Sequence, residues 1–168
     1  MTVMEAIQGR TSIREYLDTP IEEEKLLQVL EAGRLAPSAA NGQHWKFLVV
    51  QDYDIRQKLM PACGGQSFIG QAPAVLVLVG TKPGIMTNSQ PAEAVDLSIA
   101  MSFMILEAYE LGLGTCWIAA YRQEPVKAVL NIPDEYSVVA VSPLGYPAVP
   151  PRLRPRKELS EVVVYDQF

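Results

Sequence analysis

Apolar residues recur along this chain at helical spacing in several stretches, and each stretch predicts a helix. One of them follows Thr19-Pro20 and three glutamates, which is typical of a helix start because acids favour the positive end of the helix dipole. Pro37 ends this helix near Ala36, since the residue before a proline avoids helical backbone. The predicted helices span 2–9, 19–36 with Leu26, Leu27, Leu30 and Leu35 facing the core, 54–62 with Ile55, Leu59 and Met60 inward, 92–111 and 124–130.

The stretch 92–111 is unusual because apolar side chains surround nearly its whole circumference. These residues are Val95, Leu97, Ile99, Met101, Phe103, Met104, Ile105 and Leu106. A helix with so little polar surface must be buried on most sides, which suggests a central helix or one at a subunit interface. Gly112-Leu113-Gly114 then ends the helix.

Strands are predicted where short apolar or β-prone segments are bounded by turn residues. Residues 74–79 form a continuous apolar run, which is typical of a strand buried on both faces. Residues 45–50, 115–119 and 137–141 are expected to form further strands. Proline and glycine predict irregular backbone at 81–91 and at 143–155.

The C-terminal segment 162–165 is β-prone but has no hairpin partner in the sequence. A strand of this kind often adds to a sheet edge, in the same subunit or in a second one. Helices and strands are mixed without a strict β-α-β repeat, and no linker or internal repeat interrupts the chain. We therefore expect an α+β fold in a single domain that spans residues 1–168.

Composition narrows the classes of function. The chain of 168 residues is 49% hydrophobic with a net charge of -5, which fits one folded domain and disfavours nucleic acid or membrane as a partner. We find no signal peptide and no apolar run of the roughly 20 residues that cross a bilayer. Cys63 and Cys116 are far apart and lack metal-type spacing. A lone pair of cysteines is weak evidence for a disulfide, which favours a reducing cytoplasm. The single histidine, His44, has no neighbours that support a zinc site or a catalytic triad.

Candidate chemistry begins at Arg10-Thr11-Ser12-Ile13-Arg14, which combines two guanidiniums and two hydroxyls in an acidic protein. Arginine binds phosphate oxygens through a rigid fork of donors, and hydroxyls satisfy the remaining acceptor sites. The segment is therefore a candidate site for a phosphate monoester. Ordinary surface residues at the end of a helix are the alternative interpretation.

Two further segments share this chemical character. Residues 36–45 place Asn41 and Gln43 among small residues. Small residues let the backbone approach a flat ligand, and the amide side chains can form hydrogen bonds with its polar edge. A plain helix-to-strand turn is the alternative. Residues 152–157 form a cationic cluster, for which a solvated tail is the alternative. Neither a dinucleotide-binding glycine motif nor a P-loop is present.

In order and spacing, these segments resemble the nitroreductase family of FMN-dependent oxidoreductases over nearly the whole chain. Each motif is weak alone, whereas their shared order is specific. The matching segments are 9–16, 36–38 with Asn41, Gln43 and Trp45, 72–73, 112–115, 144–147 and 154–157. The resemblance implies an α+β fold with a mostly antiparallel sheet between helices, in an intertwined homodimer whose C-terminal arms are exchanged.

The resemblance also implies which residues bind FMN, and it assigns catalysis to no side chain. Contacts to the phosphate and the ribityl chain are implied for Arg10, Thr11, Ser12, Arg14, Arg154 and Arg156. A loop along the isoalloxazine ring, which the partner subunit supplies in many members, is implied for Pro37, Ser38, Asn41 and Gln43. A segment beside the ring, where a backbone N–H commonly points at N5, is implied for Trp117, Ile118, Ala119 and Ala120. A further pocket wall is implied for Leu144 and Gly145.

The implied activity is oxidation of NADH or NADPH, with ping-pong hydride transfer through FMN to a nitroaromatic, a quinone or a similar electron-poor acceptor. Two alternatives stay open: a dehalogenase or dehydrogenase of a dedicated metabolite, and a non-catalytic flavin-binding module. The chain departs from the family pattern at His44 and Glu158, where proline is common. The short stretch 79–91 leaves little room for a lid, so the substrate class is less determined than the cofactor.

Overall fold

Four antiparallel strands form one sheet in the computed structural model, which describes all of residues 1–168. The strands are β1 (Trp45–Val50), β2 (Ala74–Gly80), β3 (Gly114–Thr115) and β4 (Ser137–Gly145). Their spatial order is β1-β2-β4-β3, and every neighbouring pair is antiparallel. The predicted α+β class with an antiparallel sheet is confirmed.

The helices occupy the stretches that helical spacing predicts, with one addition. They are α1 (Val3–Gly9), α2 (Glu23–Arg34), α3 (Tyr53–Ala62), α4 (Phe68–Gln71), α5 (Ala92–Glu110) and α6 (Gln123–Leu130), with 3-10 turns at Ala39–Asn41 and Leu159–Glu161. The short α4 was not predicted, because four residues are too few to show a period. The predicted start of α2 at Thr19 is wrong: Glu22 is the N-cap, and Thr19-Pro20 precede the helix.

Strand β2 lies at the centre of three layers, which confirms its predicted burial on both faces. Its side chains alternate between two cores, as the pleat of a strand requires. Val75, Val77 and Val79 pack in a core with residues of α3, α4 and α6. Leu76 and Leu78 pack on the other side with residues of α2 and α5. Both sheet faces are therefore covered by helices.

Helix α5 is fully buried on one face and partly buried over most of the rest within the single chain. Its Leu97, Met101 and Met104 have no exposed surface, whereas 41% of Phe103 is exposed. None of the helices combines the length and the apolar character that spanning a bilayer requires. The predicted burial on most sides is thus met in part within the isolated chain, and Phe103 marks the face left open.

The predicted inward face of α2 is wrong at two of its four leucines. Leu27 and Leu35 are 56% and 62% exposed, whereas Leu26 is buried. The core face follows Leu26, Val29 and Gly33, spaced three and four residues apart. A Cβ on Gly33 would lie 2.1 Å from Met104 Cε, so the two helices approach closely at this glycine.

Strand β4 runs four residues beyond its predicted end at Val141, through Pro143. Proline lacks the N–H that a strand normally donates. Val141 accepts a hydrogen bond from Ile118 on the β3 side, and the period of two directs Pro143 to that side as well. There Ser142 Oγ accepts the Cys116 N–H at 3.2 Å, beside Pro143. The predicted strand at 115–119 shrinks to β3 and one bridge at Ile118.

The C-terminal arm, residues 149–168, contains no strand in the single chain. The β-strand predicted at 162–165 is therefore wrong for this chain alone, because no sheet edge pairs with it. Every residue of the arm is exposed, including 84% of the Tyr165 surface. Its apolar side chains find no cover within their own chain.

Candidate functional site

The segment after α1 is held against β3 by its backbone. Ile13 N–H donates to the Thr115 carbonyl oxygen at 2.8 Å, and Ser12 forms a parallel bridge with Thr115. The Ile13 side chain is buried, and a Cβ on Gly114 would lie 2.6 Å from Ile13 Cγ1. Glycine is required at that close approach. The buried Ile13 thereby anchors a segment whose neighbours Ser12 and Arg14 stay exposed.

The two ends of the chain meet at one cavity of about 570 Å³. We call it the arginine cavity. It is lined by all six residues predicted to contact a phosphate and ribityl chain, and by Arg152, Gln8 and Glu15. Residues more than 130 positions apart in the sequence are therefore neighbours, as the resemblance implies.

The arginine cavity concentrates positive charge that no carboxylate in the chain neutralises. The ion pairs of the structure lie elsewhere, at Arg34–Glu31, at Lys25–Glu22 and between the N-terminus and Glu110. Five arginines line the cavity, and Glu15 is its only acid. In a chain with a net charge of -5, such a cluster attracts an anion.

Thr11 carries an independent sign of a missing partner. Its Oγ1 atom is buried and has no hydrogen-bond partner in the protein. Buried polar atoms in proteins are almost always hydrogen-bonded, so an unpaired hydroxyl beside unpaired arginines fits a ligand with acceptor oxygens. The donor set present at this cavity therefore matches a phosphate group.

Cys116 lies on the protein side of this site. Burial raises the pKa of its thiol, while the charge of Arg14 and a hydrogen bond from Ser12 act in the opposite direction. Arg14 and Ser12, which both line the arginine cavity, thus also act on the Cys116 thiol. The thiol is part of the wall behind the phosphate-binding segment.

A second cavity of about 290 Å³ shares Arg10, Thr11 and Ser12 with the arginine cavity. Its remaining walls include Trp117 and, from α5, Ser102 and Ile105. The apolar pattern of α5 predicts core positions, so Ser102 and Ile105 were not among the predicted site residues. The one available signal was Ser102, a polar residue inside an apolar helix. The two cavities together suit an elongated ligand that is polar at one end and flat at the other.

The four residues predicted to lie beside the ring, 117–120, differ in burial and in whether they line a cavity. Trp117 lines the second cavity, whereas Ile118 is buried and paired with Val141. Ala119 and Ala120 are exposed, and neither N–H donates to a protein acceptor. Both residues line neither cavity, so their assignment as ligand contacts stays a prediction, although their two backbone donors are free.

The loop after α2 lines neither cavity in its own chain, although four of its residues are predicted to contact the ring. Its side chains are hydrogen-bonded to each other: Ser38 Oγ accepts from Gln43 N–H, and the Gln43 amide donates to Asn41 Oδ1, both at 3.1 Å. Ala40, Asn41 and Gln43 have φ between 50° and 54°. Left-handed backbone at three non-glycine residues costs energy and is typical of a functional loop. Pro37 is exposed at the start of this loop.

Leu144 and Gly145 lie in the core of β4, away from both cavities. The Leu144 side chain is fully buried, and a Cβ on Gly145 would lie 2.5 Å from Pro73 Cδ. The implied pocket wall can therefore involve only the backbone of these two residues. Their assignment as ligand contacts stays a prediction.

Comparison with known proteins supports the resemblance. The sequence profile described as the Nitroreductase family matches residues 7–83 and 62–146. A putative NADH dehydrogenase/NAD(P)H nitroreductase of Methanothermobacter thermautotrophicus is 32% identical over 92% of this chain and 82% of its own. The FMN reductase [NAD(P)H] of Bacillus subtilis is 33% identical over 92% of this chain and 69% of its own.

A solved structure agrees with the sequence comparison over nearly the full length. The FMN-dependent nitroreductase of Clostridium difficile R20291 superposes with a TM-score of 0.86 at 29% identity. The match covers 98% of this chain and 99% of that protein. The sheet, the helices and the two ends of the chain thus belong to one shared architecture.

Proposed function

Because this chain belongs to the nitroreductase family, we propose that it is an FMN-dependent NAD(P)H oxidoreductase whose acceptors are nitroaromatics, quinones or similar electron-poor compounds. The observation that carries the proposal is the arginine cavity, where unpaired guanidiniums from both chain ends surround the unpaired Thr11 hydroxyl. This donor set suits one terminal phosphate. The adjoining cavity with Trp117 suits a flat ring.

The residues of the arginine cavity bind and orient the cofactor in this proposal. Arg14 and Arg154 pair with the phosphate oxygens, and the Thr11 hydroxyl donates to one of them. FMN, when bound, accepts hydride from NADH or NADPH and passes it to the acceptor. Residues of α5 and Trp117 would hold the ring, and contacts from both chain ends would orient it for that transfer.

The exposed amides of Ala119 and Ala120 have an electrostatic role. An N–H without a protein acceptor donates to an electron-rich atom of the bound ring and stabilises negative charge there. A side-chain acid or base is unnecessary for this, which agrees with the absence of a catalytic dyad among the lining residues of the two cavities.

Initial-rate kinetics test the proposed reaction. We expect parallel double-reciprocal lines when the concentrations of the nicotinamide and of a nitroaromatic or quinone acceptor are varied, because one product leaves before the second substrate binds. Intersecting lines would contradict the ping-pong order. No acceptor-dependent oxidation of either NADH or NADPH would contradict the proposed activity.

We propose that the active form is a homodimer with exchanged C-terminal arms. An open groove between α2 and α5 exposes Leu27, Leu35 and Phe103, and glutamates surround it. The arm of each chain offers exposed apolar residues after a run of arginines, so its chemistry complements that of the groove. The Pro37–Gln43 loop, which lines neither cavity of its own chain, would contact the flavin of the partner.

A further inference from the structure

Two adjacent glycines after α3 share one backbone conformation but differ in what they touch. Gly64 and Gly65 have φ values of 70° and 71°, in the left-handed region. A Cβ added to Gly64 would lie 3.1 Å from the carbonyl oxygen of Ala120. A Cβ added to Gly65 would meet no atom within 4 Å. Only the first glycine is thus required for a close approach.

The turn at 62–66 makes a second contact with the same neighbouring segment. Arg122 N–H donates to the Ala62 carbonyl oxygen at 3.3 Å. Within the turn, the Gln66 side-chain amide donates to the Cys63 carbonyl oxygen at 3.0 Å, and the Cys63 side chain is fully buried. The turn is therefore anchored in the core on one side and touches residues 120 and 122 on the other.

The backbone of Ala119 and Ala120 has little other support. Both residues lie outside any helix or strand, and their N–H groups have no acceptor in the protein. Ile118, just before them, is held by its bond to the Val141 carbonyl oxygen at 2.9 Å. After them, the Tyr121 hydroxyl donates to the Val138 carbonyl oxygen at 2.7 Å, so the segment is anchored on both sides. Between these anchors, the close approach of Gly64 limits where the Ala120 carbonyl oxygen can lie.

We infer that Gly64 is a positioning residue: its missing side chain lets the 62–66 turn pack against the Ala120 carbonyl and so sets the direction of the Ala119 and Ala120 N–H groups. The inference rests on the proposed function, in which those amides donate to bound FMN. A Cβ at 3.1 Å is closer than ordinary van der Waals contact, so Ala120 would shift by a few tenths of an ångström.

Gly64→Ala tests the inference, with Gly65→Ala as the matched control. Both variants add one methyl group to left-handed backbone, so they share the same conformational cost. We expect the rate constant for flavin reduction by NADH or NADPH to fall about fivefold or more in Gly64→Ala and less than about twofold in Gly65→Ala, because misplaced donors slow transfer steeply. Both variants are still expected to take up FMN, since the phosphate contacts lie elsewhere.

A second readout needs no cofactor. In the FMN-free protein, amide hydrogen exchange at Arg122 is expected to speed up in Gly64→Ala only, because its bond to Ala62 is the other contact of the same turn. If Gly64→Ala does not fold, Gln66→Ala replaces it, since loss of the bond to the Cys63 carbonyl oxygen loosens the same turn. Slower flavin reduction and faster Arg122 exchange in Gln66→Ala support the inference.

The outcomes separate this inference from the proposed function. A wild-type protein that takes up no FMN overturns the proposed function and this inference with it. A wild-type protein that is reduced normally, with equal reduction and exchange rates in Gly64→Ala and Gly65→Ala, overturns the inference alone. Wild-type values in Gln66→Ala, where that variant is used, do the same.

Discussion

At the scale of single residues, the site depends on guanidiniums that have no carboxylate partner in the chain. Arg14 is exposed, makes no ion pair and lines the arginine cavity next to Thr11. A phosphate dianion at this cavity would form a charge-assisted hydrogen bond with Arg14, which is about twice as strong as a neutral one. Such a residue contributes to binding and little to folding.

Arg14→Ala is expected to weaken FMN binding by about 1.5–3 kcal/mol, the range of a hydrogen bond to a charged group, or roughly 10- to 150-fold in Kd. Quenching of FMN fluorescence on titration measures this change. Lys58→Ala is the control, because Lys58 is an exposed cation on α3 and lines neither cavity. Equal affinities in Arg14→Ala and wild type would remove Arg14 from the phosphate site.

Because the Cys63 thiol is buried, we expect the fold to lose stability in alkaline solution. Burial raises the pKa of its thiol to about 11. Because the pKa is higher in the folded state, only the unfolded chain loses this proton at moderately alkaline pH. The contribution of the neutral thiol to the stability of the fold is therefore complete below the unfolded pKa and is lost as pH rises to about 11. The free energy of unfolding, measured by denaturant titration, should fall between pH 9 and pH 11. Cys63→Ala should show a shallower fall, and an identical pH dependence in both proteins would contradict this account.

At the scale of elements, hydrophobic spacing predicts most of the fold, and its errors have physical causes. The bounds of β1 and α3 agree with their predictions to within one residue, because burial follows their period directly. The start of α2 and the orientation of Leu27 disagree with their predictions. A capping pattern does not fix the first residue of a helix, and an apolar residue does not show whether another element covers it. The end of β4 was missed because Pro143 was taken to begin irregular backbone, whereas the strand continues through it to Gly145.

The candidate site was predictable only in part. Sequence order was enough to join Arg14 to Arg154, because the motifs at the two chain ends recur together in the family. Ile105 and Gly64 were not predictable, since their roles arise from tertiary contacts between elements far apart in sequence. Leu144 was assigned to the pocket although its side chain is buried in the core.

The end of α5 gives a prediction about one glycine. Gly112 has a φ of 77° directly after the helix, and a Cβ there would meet no atom within 4 Å. Gly112→Ala should therefore lower the free energy of unfolding by about 1–2 kcal/mol through backbone conformation alone. Denaturant titration at a fixed protein concentration measures this loss.

Gly84→Ala is the matched control for that experiment. Gly84 also has open space around it, but its φ is not in the left-handed region. We expect a change within about 0.5 kcal/mol, as for most surface substitutions. An equal loss in both variants would show that α5 does not need left-handed backbone at its end.

At the scale of the whole molecule, the exposed C-terminal arm and the open groove between α2 and α5 are the two surfaces that the proposed dimer would cover. Leu159, Val164 and Tyr165 of the arm have more than half of their surface exposed, as does Leu27 in the groove. Exposed apolar surface of this kind in a protein of this size is typical of an interface. In the proposed dimer, each C-terminal arm lies in the groove of the partner, which covers the apolar residues of both surfaces.

Removal of residues 159–168 tests the role of the arm. The full chain should sediment as a dimer of about twice 18.5 kDa, and the shortened chain as a monomer. Its far-UV circular dichroism should keep the signal of the helices, because every removed residue is exposed in the single chain and α1 to α6 lie outside the removed segment. A shortened chain that remains dimeric would show that the arm does not hold the two copies together.

The central claim is that the arginine cavity and its neighbour hold FMN in a form that nicotinamides reduce. The most direct measurement is the visible absorbance of the FMN-reconstituted protein under anaerobic conditions before and after NADH or NADPH is added. We predict that the protein retains FMN through gel filtration and that its flavin absorbance is lost with at least one of the two nicotinamides. A protein that leaves the column without FMN, or whose bound flavin keeps its absorbance with both, would contradict the account.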